Sequence, residues 1–167
     1  MVHLWDSKAK GETEMSKSAL GQNATGDIAV VIGNEKLDLD LVNLACRMAK
    51  SAKRKVHLVH VIEVPRALPL KTELKNESER ANKLLGSALQ IAERIGCDAV
   101  AEVVQAREAG SAIVEEAKDH NCALILIGLT RRNNQGNDIG KTVPYVLSHA
   151  PCRVWLVQDP PSQAVTQ

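Results

Sequence analysis

The stretch Ala123-Leu-Ile-Leu-Ile-Gly128-Leu129 precedes a polar segment, Thr130 to Ile139. Then comes Gly140-Lys-Thr-Val-Pro144-Tyr-Val-Leu-Ser-His-Ala-Pro151-Cys152. A short apolar run ending in Gly reads as a buried strand. The polar segment carries Arg131 and Arg132 and leads through Gly140 and Lys141 into a helix start. Backbone N–H groups at a helix start attract anions, and small residues let a phosphate approach closely. The stretch therefore reads as strand, anion-binding turn, helix.

The same alternation extends in both directions. Ile28 to Ile32 is a continuous apolar run, predicted as a first strand and closed by Gly33-Asn34. Leu41, Leu44, Ala45, Met48 and Ala52 follow at helical spacing, and Lys50, Lys53, Arg54 and Lys55 gather where cations suit a helix C-terminus. Val56 to Val64 is a second strand, stopped by Pro65. A long helix from about Glu73 to Ile95 has Ala81, Leu84, Leu85, Ala88, Ile91, Ala92 and Ile95 on one face and Gly96 at its end. Ala99–Val104 is a third strand, Gly110–His120 a short helix, Ala123–Gly128 the fourth strand. A last helix lies around Pro144–His149, since Pro144 disfavours helical geometry at Val143, and Arg153–Val157 is the fifth strand.

Strands that are apolar on both faces and alternate with helices predict an α/β fold, a doubly wound parallel sheet with helices on both faces. Ligands in such sheets sit beyond the carboxyl ends of the strands, where strand order reverses. The ends of strands one and four are the candidates: Ile32, Gly33 and Asn34 on one side, Gly128 on the other. The domain spans residues 26–159, with a flexible N-terminal tail, 1–25, and a C-terminal tail, 160–167.

Composition excludes several functions. Of 167 residues none is Phe, one is Tyr and two are Trp, so no aromatic face exists for stacking single-stranded bases. A net charge of +1 implies no polyanion partner, and nucleic acid is not expected. No apolar run reaches the ~18 residues of a membrane span. The first residues show no secretory pattern, so direct membrane insertion is not expected and a cytoplasmic location is. Cys46, Cys97, Cys122 and Cys152 form no Cys-x-x-Cys pair and read as reduced thiols.

The residues that might carry chemistry are few. Gly136 to Thr142 has three residues between its glycines where a P-loop needs four, and the Gly-x-Gly-x-x-Gly fingerprint is absent. His57 and His60 are three apart in a strand and face opposite sides, so they read as structural, and no metal site is expected. Asp38 and Asp40 read as acids favouring a helix start. The Glu77, Glu79 and Arg80 cluster reads as solvated, and no catalytic set is placed.

The element order and the block Tyr145-Val-Leu-Ser-His-Ala-Pro-Cys-Arg-Val-Trp-Leu-Val157 resemble the universal stress protein family, as does His60-Val-Ile-Glu-Val-Pro65. The resemblance implies a five-stranded sheet in the order 3-2-1-4-5. It also implies that ATP or AMP binds through a Gly-x-x-Gly, nine-residue, Gly-Ser or Gly-Thr loop after strand four. Gly128 matches the first Gly of that pattern and Gly140 the third. Arg131 stands at the second, the loop is one residue shorter, and Lys141 precedes Thr142 where the hydroxyl residue belongs. No acid follows strand one, where nucleotide-binding members have an Asp. The implied site is Ile32, Gly33, Asn34, Val61, Gly128, Arg131, Gly140, Lys141 and Thr142. It leaves two functions open: a nucleotide-binding regulatory module, or a dimeric interaction domain without nucleotide, conceivably serving a transporter. In either case strand five is an edge, and a homodimer through Val154, Trp155 and Leu156 is expected.

Overall fold

The computed structural model describes residues 25–33, 36–129 and 140–158. Among these residues nine elements alternate. They are β1 (Asp27–Val31), α1 (Lys36–Ala52), β2 (Val56–Glu63), α2 (Lys75–Ile95), β3 (Ala99–Ala106), α3 (Ala109–Asp119), β4 (Cys122–Leu129), α4 (Thr142–His149) and β5 (Arg153–Gln158). All strand pairings are parallel, and the order is β3-β2-β1-β4-β5. This is the predicted doubly wound sheet. The expected tails, Asn34, Arg131 and Arg132 lie outside the described residues.

Parallel strands need crossover helices, and these cover both faces. On one face Ile28, Val30, Leu58 and Leu126 pack against Leu41, Ala45 and Cys46 of α1 and Leu85, Ala88 and Ala92 of α2. On the other, Ala29, Ile125 and Ile127 pack against Ile113, Val114 and Ala117 of α3 and Val143 and Val146 of α4. Val30, Leu58, Ile125 and Leu126 are completely buried. With no Phe to fill space, the core is built from branched aliphatics and alanine.

Two readings need correction. The buried stripe of α1 is Leu37, Leu41, Val42, Ala45, Cys46 and Ala49, whereas Leu44 and Ala52 are exposed. Apolar residues occupy more than one face of this helix, so spacing alone could not choose the inward one. The last helix begins at Thr142, two residues before Pro144. A proline in the first turn needs no intrahelical N–H, and burial of Val143 in the second core cluster offsets its restricted backbone. Gly96 ends α2 as predicted, at φ 71°.

Local contacts fix the loops at the carboxyl end of the sheet. Arg107, just past β3, donates to the carbonyls of Val64, Pro65 and Leu68 and so holds the connection leaving β2. Glu63 accepts the N–H of Ala109 at 2.8 Å and caps the start of α3. At the opposite end, Lys50 donates to the carbonyl of Ile95 at 2.6 Å, so this cation serves the C-terminus of α2 across the helix pair.

All four cysteines are free thiols, two of them buried. Burial, with Cys97 close by, pushes the Cys46 thiol up to about 12. Burial, with Cys152 and nearby acids, does the same for Cys122, also to about 12. Such thiols are protonated and inert at neutral pH. Among the described residues, no helix is long and apolar enough to cross a membrane.

Candidate functional site

The crevice at the strand ends is built by chain direction. β1 and β4 are neighbours, but the helices after them lie on opposite faces, so the chain parts there. Ile32 leaves β1 fully buried. Its N–H donates to the carbonyl of Val59 at 2.8 Å, and its carbonyl pairs with His60 Nδ1 at 2.8 Å. Gly33 follows. On the β4 side Val31 pairs with Ile127, so Gly128 lies one residue beyond the last β1–β4 partners.

Asp38 fills the gap between the two strand ends. It is the third helical residue of α1, and its carboxylate turns back toward the strand it came from. The Gly33 N–H donates to Asp38 Oδ2 at 2.7 Å. A Cβ placed on Gly128 would stand 2.7 Å from Asp38 Oδ1, and one on Gly33 would stand 3.2 Å from Oδ2. The carboxylate therefore sits where two side chains are missing, only 4 % exposed. The geometry extends the reach-back of a capping box, in which an acid at this helix position serves a backbone N–H before the helix. No acid follows strand one directly, but α1 brings one to the strand end several residues later. Reading Asp38 as a dipole residue missed this, and the signal was the pair of glycines that leave it room.

The other predicted residues divide. Gly33 and Gly128 meet at Asp38, with Ile32 one residue before Gly33. Val61 lies two residues beyond Val59, the partner of Val31, and packs on the face covered by α3 and α4. Gly140 and Lys141 are exposed at the entrance of α4, with Gly140 at φ 59°. α4 joins two parallel strands and so must run back along the sheet, which puts its N-terminus at the carboxyl end of the strands. Lys141 is its N-cap, and Thr142 is half-buried behind it. Pro144 removes one donor, leaving the N–H groups of Thr142 and Val143 ahead of it in the first turn.

A second polar cluster lies toward the amino ends of the strands. His57 and His60 are separated as expected, but the fold brings His57 to His120 at the C-cap of α3. Their rings stack with centroids 4.0 Å apart and planes 20° from parallel. His57 Nε2 meets Asp27 Oδ2 at 3.0 Å, and Asp27 Oδ1 accepts the Lys55 N–H at 3.0 Å. Burial pushes the Asp27 carboxyl up, yet these two hydrogen bonds and the nearby charges together hold it below the usual carboxylate range. His120 Nε2 stands 3.3 Å from both Glu102 Oε2 and Glu116 Oε2. Burial and the adjacent Glu102 carboxylate push Glu116 up, against the opposing pull of His120.

Open parallel sheets of this order, with helices on both faces and the chain parting between the first and fourth strands, define a class of doubly wound α/β domains. Within that class the chain belongs to the universal stress protein family, which it matches over residues 25–158. A comparison with curated protein sequences finds no match. Solved structures share the fold. A universal stress protein from Archaeoglobus fulgidus is 19 % identical with a TM-score of 0.65, over 78 % of this chain and 92 % of that one. A structure of the Archaeoglobus fulgidus protein in complex with dAMP is 18 % identical with a TM-score of 0.64, over 78 % and 96 %. An Arabidopsis thaliana family protein with AMP bound is 13 % identical with a TM-score of 0.58, over 85 % and 97 %.

The tight fit around Asp38 gives a direct test. Gly128→Ala places a methyl against a short carboxylate that is already held by Gly33, so the site cannot yield cheaply. Overpacking of this kind costs about 1–3 kcal/mol. Urea unfolding is expected to show that loss, and Asp38→Ala in the same background to recover part of it. Wild-type stability of Gly128→Ala would mean that the two strand ends are not closed around this carboxylate.

Proposed function

We propose that the protein is a regulatory module that binds an adenine nucleotide, ATP or AMP, in the crevice between the ends of β1 and β4. The observation that carries this reading is the polarity of the crevice. Asp38 puts a hydrogen-bond acceptor at the strand ends, while Lys141 and the first N–H groups of α4 put positive potential at the helix entrance. A nucleotide has the same asymmetry. Its phosphates are drawn to Lys141 and the helix entrance, which leaves the nucleoside against Ile32, Gly33 and Gly128. Support comes also from family membership and from the dAMP- and AMP-bound proteins of the same fold.

Binding is read by titration calorimetry of the full chain with ATP and with adenosine. Lys141→Ala is expected to weaken ATP more than adenosine. A charge-assisted hydrogen bond is worth about 1.5–3 kcal/mol, a loss of roughly tenfold or more. Equal losses for the two ligands would remove Lys141 from the phosphate end. Absence of heat with the wild type would favour the interaction domain that has lost nucleotide. In this proposal the module is not an enzyme, because the described crevice offers no placed water-activating base. Phosphate release from ATP is expected to fall far below about 1 per second, an ordinary enzymatic rate, and turnover at that rate would overturn the assignment.

The module is further proposed to act as a homodimer through β5. This strand is the sheet edge, and Trp155 is 43 % exposed on it, whereas Val154 and Leu156 face the core of their own domain. An open edge carrying an exposed indole calls for cover, and a two-fold pairing is the commonest way to supply it. Trp155→Lys is therefore the informative variant, since it leaves the core side of β5 intact. Light scattering after size exclusion is expected to give a dimer mass for the wild type and a monomer mass for Trp155→Lys. A wild-type monomer at tens of micromolar would exclude the dimer.

A further inference from the structure

We propose that His57, Glu102 and His120, assisted by Glu116, form a binding site for one divalent transition-metal ion of the zinc type, at the opposite end of the strands from the crevice. One ligand atom from each of the first three residues lies within 4.8 Å of the others. Donors about 2.0–2.2 Å from a tetrahedral zinc stand roughly 3.3–3.6 Å apart, so closing the site takes a movement on the order of an ångström. Glu116 Oε2, 3.3 Å from His120 Nε2, supplies a fourth donor from the preceding turn of α3.

The independent observation is His57. The residue is 5 % exposed, and its Nδ1 is buried with no hydrogen-bond partner among the described residues. Buried polar atoms are nearly always satisfied, so an orphan calls for an explanation. The other nitrogen, Nε2, is engaged by Asp27 at 3.0 Å. A carboxylate there accepts a hydrogen bond from Nε2–H and leaves Nδ1 with its lone pair, the tautomer a metal requires. A carboxylate behind a ligating imidazole is also the usual outer-shell support of a zinc histidine.

The donors choose the ion. Two imidazoles with carboxylates suit zinc and its first-row neighbours, whereas calcium and magnesium take oxygen ligands. A dication also offsets two carboxylates that converge on one histidine. The stacked rings do not yet converge on a common point. His120, with a side chain 28 % exposed at the end of α3, is placed to turn toward the ion. The bound ion would tie β2, the edge strand β3 and the C-terminus of α3 together.

The test uses the full chain, stripped with a chelator and dialysed, then titrated with Zn²⁺ by calorimetry and with Co²⁺ by visible absorption. One ion per chain is expected, with Co²⁺ bands of four-coordinate intensity and a higher melting temperature in Zn²⁺. His120→Ala and Glu102→Gln alter partly exposed side chains and are expected to fold. Each should weaken Zn²⁺ at least about tenfold, the lower end of the loss seen when even an outer-shell partner is removed. The proposal is overturned if stripped protein takes up no Zn²⁺ below about 0.1 mM, or if uptake is unchanged in both variants, which would place the ion on other groups. Neither readout depends on nucleotide.

Discussion

The two central strands of this domain must be covered on both faces, and most of the architecture follows from that constraint. β1 and β4 are continuous aliphatic runs flanked on either side by another strand. No face of them tolerates water, so α1 and α2 close one side and α3 and α4 the other. Parallel pairing then forces every helix to run back along the sheet. The N-termini of α1 to α4 gather at the carboxyl ends of the strands and their C-termini at the amino ends. The two polar clusters lie at these two ends because backbone direction leaves nowhere else for them.

At the carboxyl end, the chain parts between β1 and β4 and opens a gap. Gly33 and Gly128 contribute no side chains to it, and Asp38 enters from α1 to satisfy the Gly33 N–H. The floor of the crevice is thus a backbone feature held by a single acid.

At the amino end, helix α3 delivers Glu116 and His120 onto a sheet face where β2 and β3 already present His57 and Glu102. The parallel register puts His57 opposite Val100 and Val59 opposite Glu102, so the two polar residues share a face one pleat apart. Asp27 reaches the group from β1. Five chemistry-bearing residues from four elements meet there.

Local pattern was enough for the elements and the class of sheet. Apolar runs of strand length, helical spacing in α2 and Gly96 at its end are properties of neighbouring residues, and short-range sterics enforce them wherever the chain goes. The strand ends at Ile32, Gly33 and Gly128 were legible for the same reason, since a strand running into Gly is a local signal. The inward face of α1 was not, because Leu41, Leu44, Ala45 and Met48 offer more than one apolar stripe and only contact with the sheet selects among them. Asp38 could not be distinguished from a helix-start acid until Gly128, some ninety residues later, was brought beside it. His57 meets His120 only because a crossover helix must return to the amino end of the sheet. Sequence determines what depends on a residue and its near neighbours; the meeting of residues distant in the chain depends on strand order and register, which exist only once the sheet has formed.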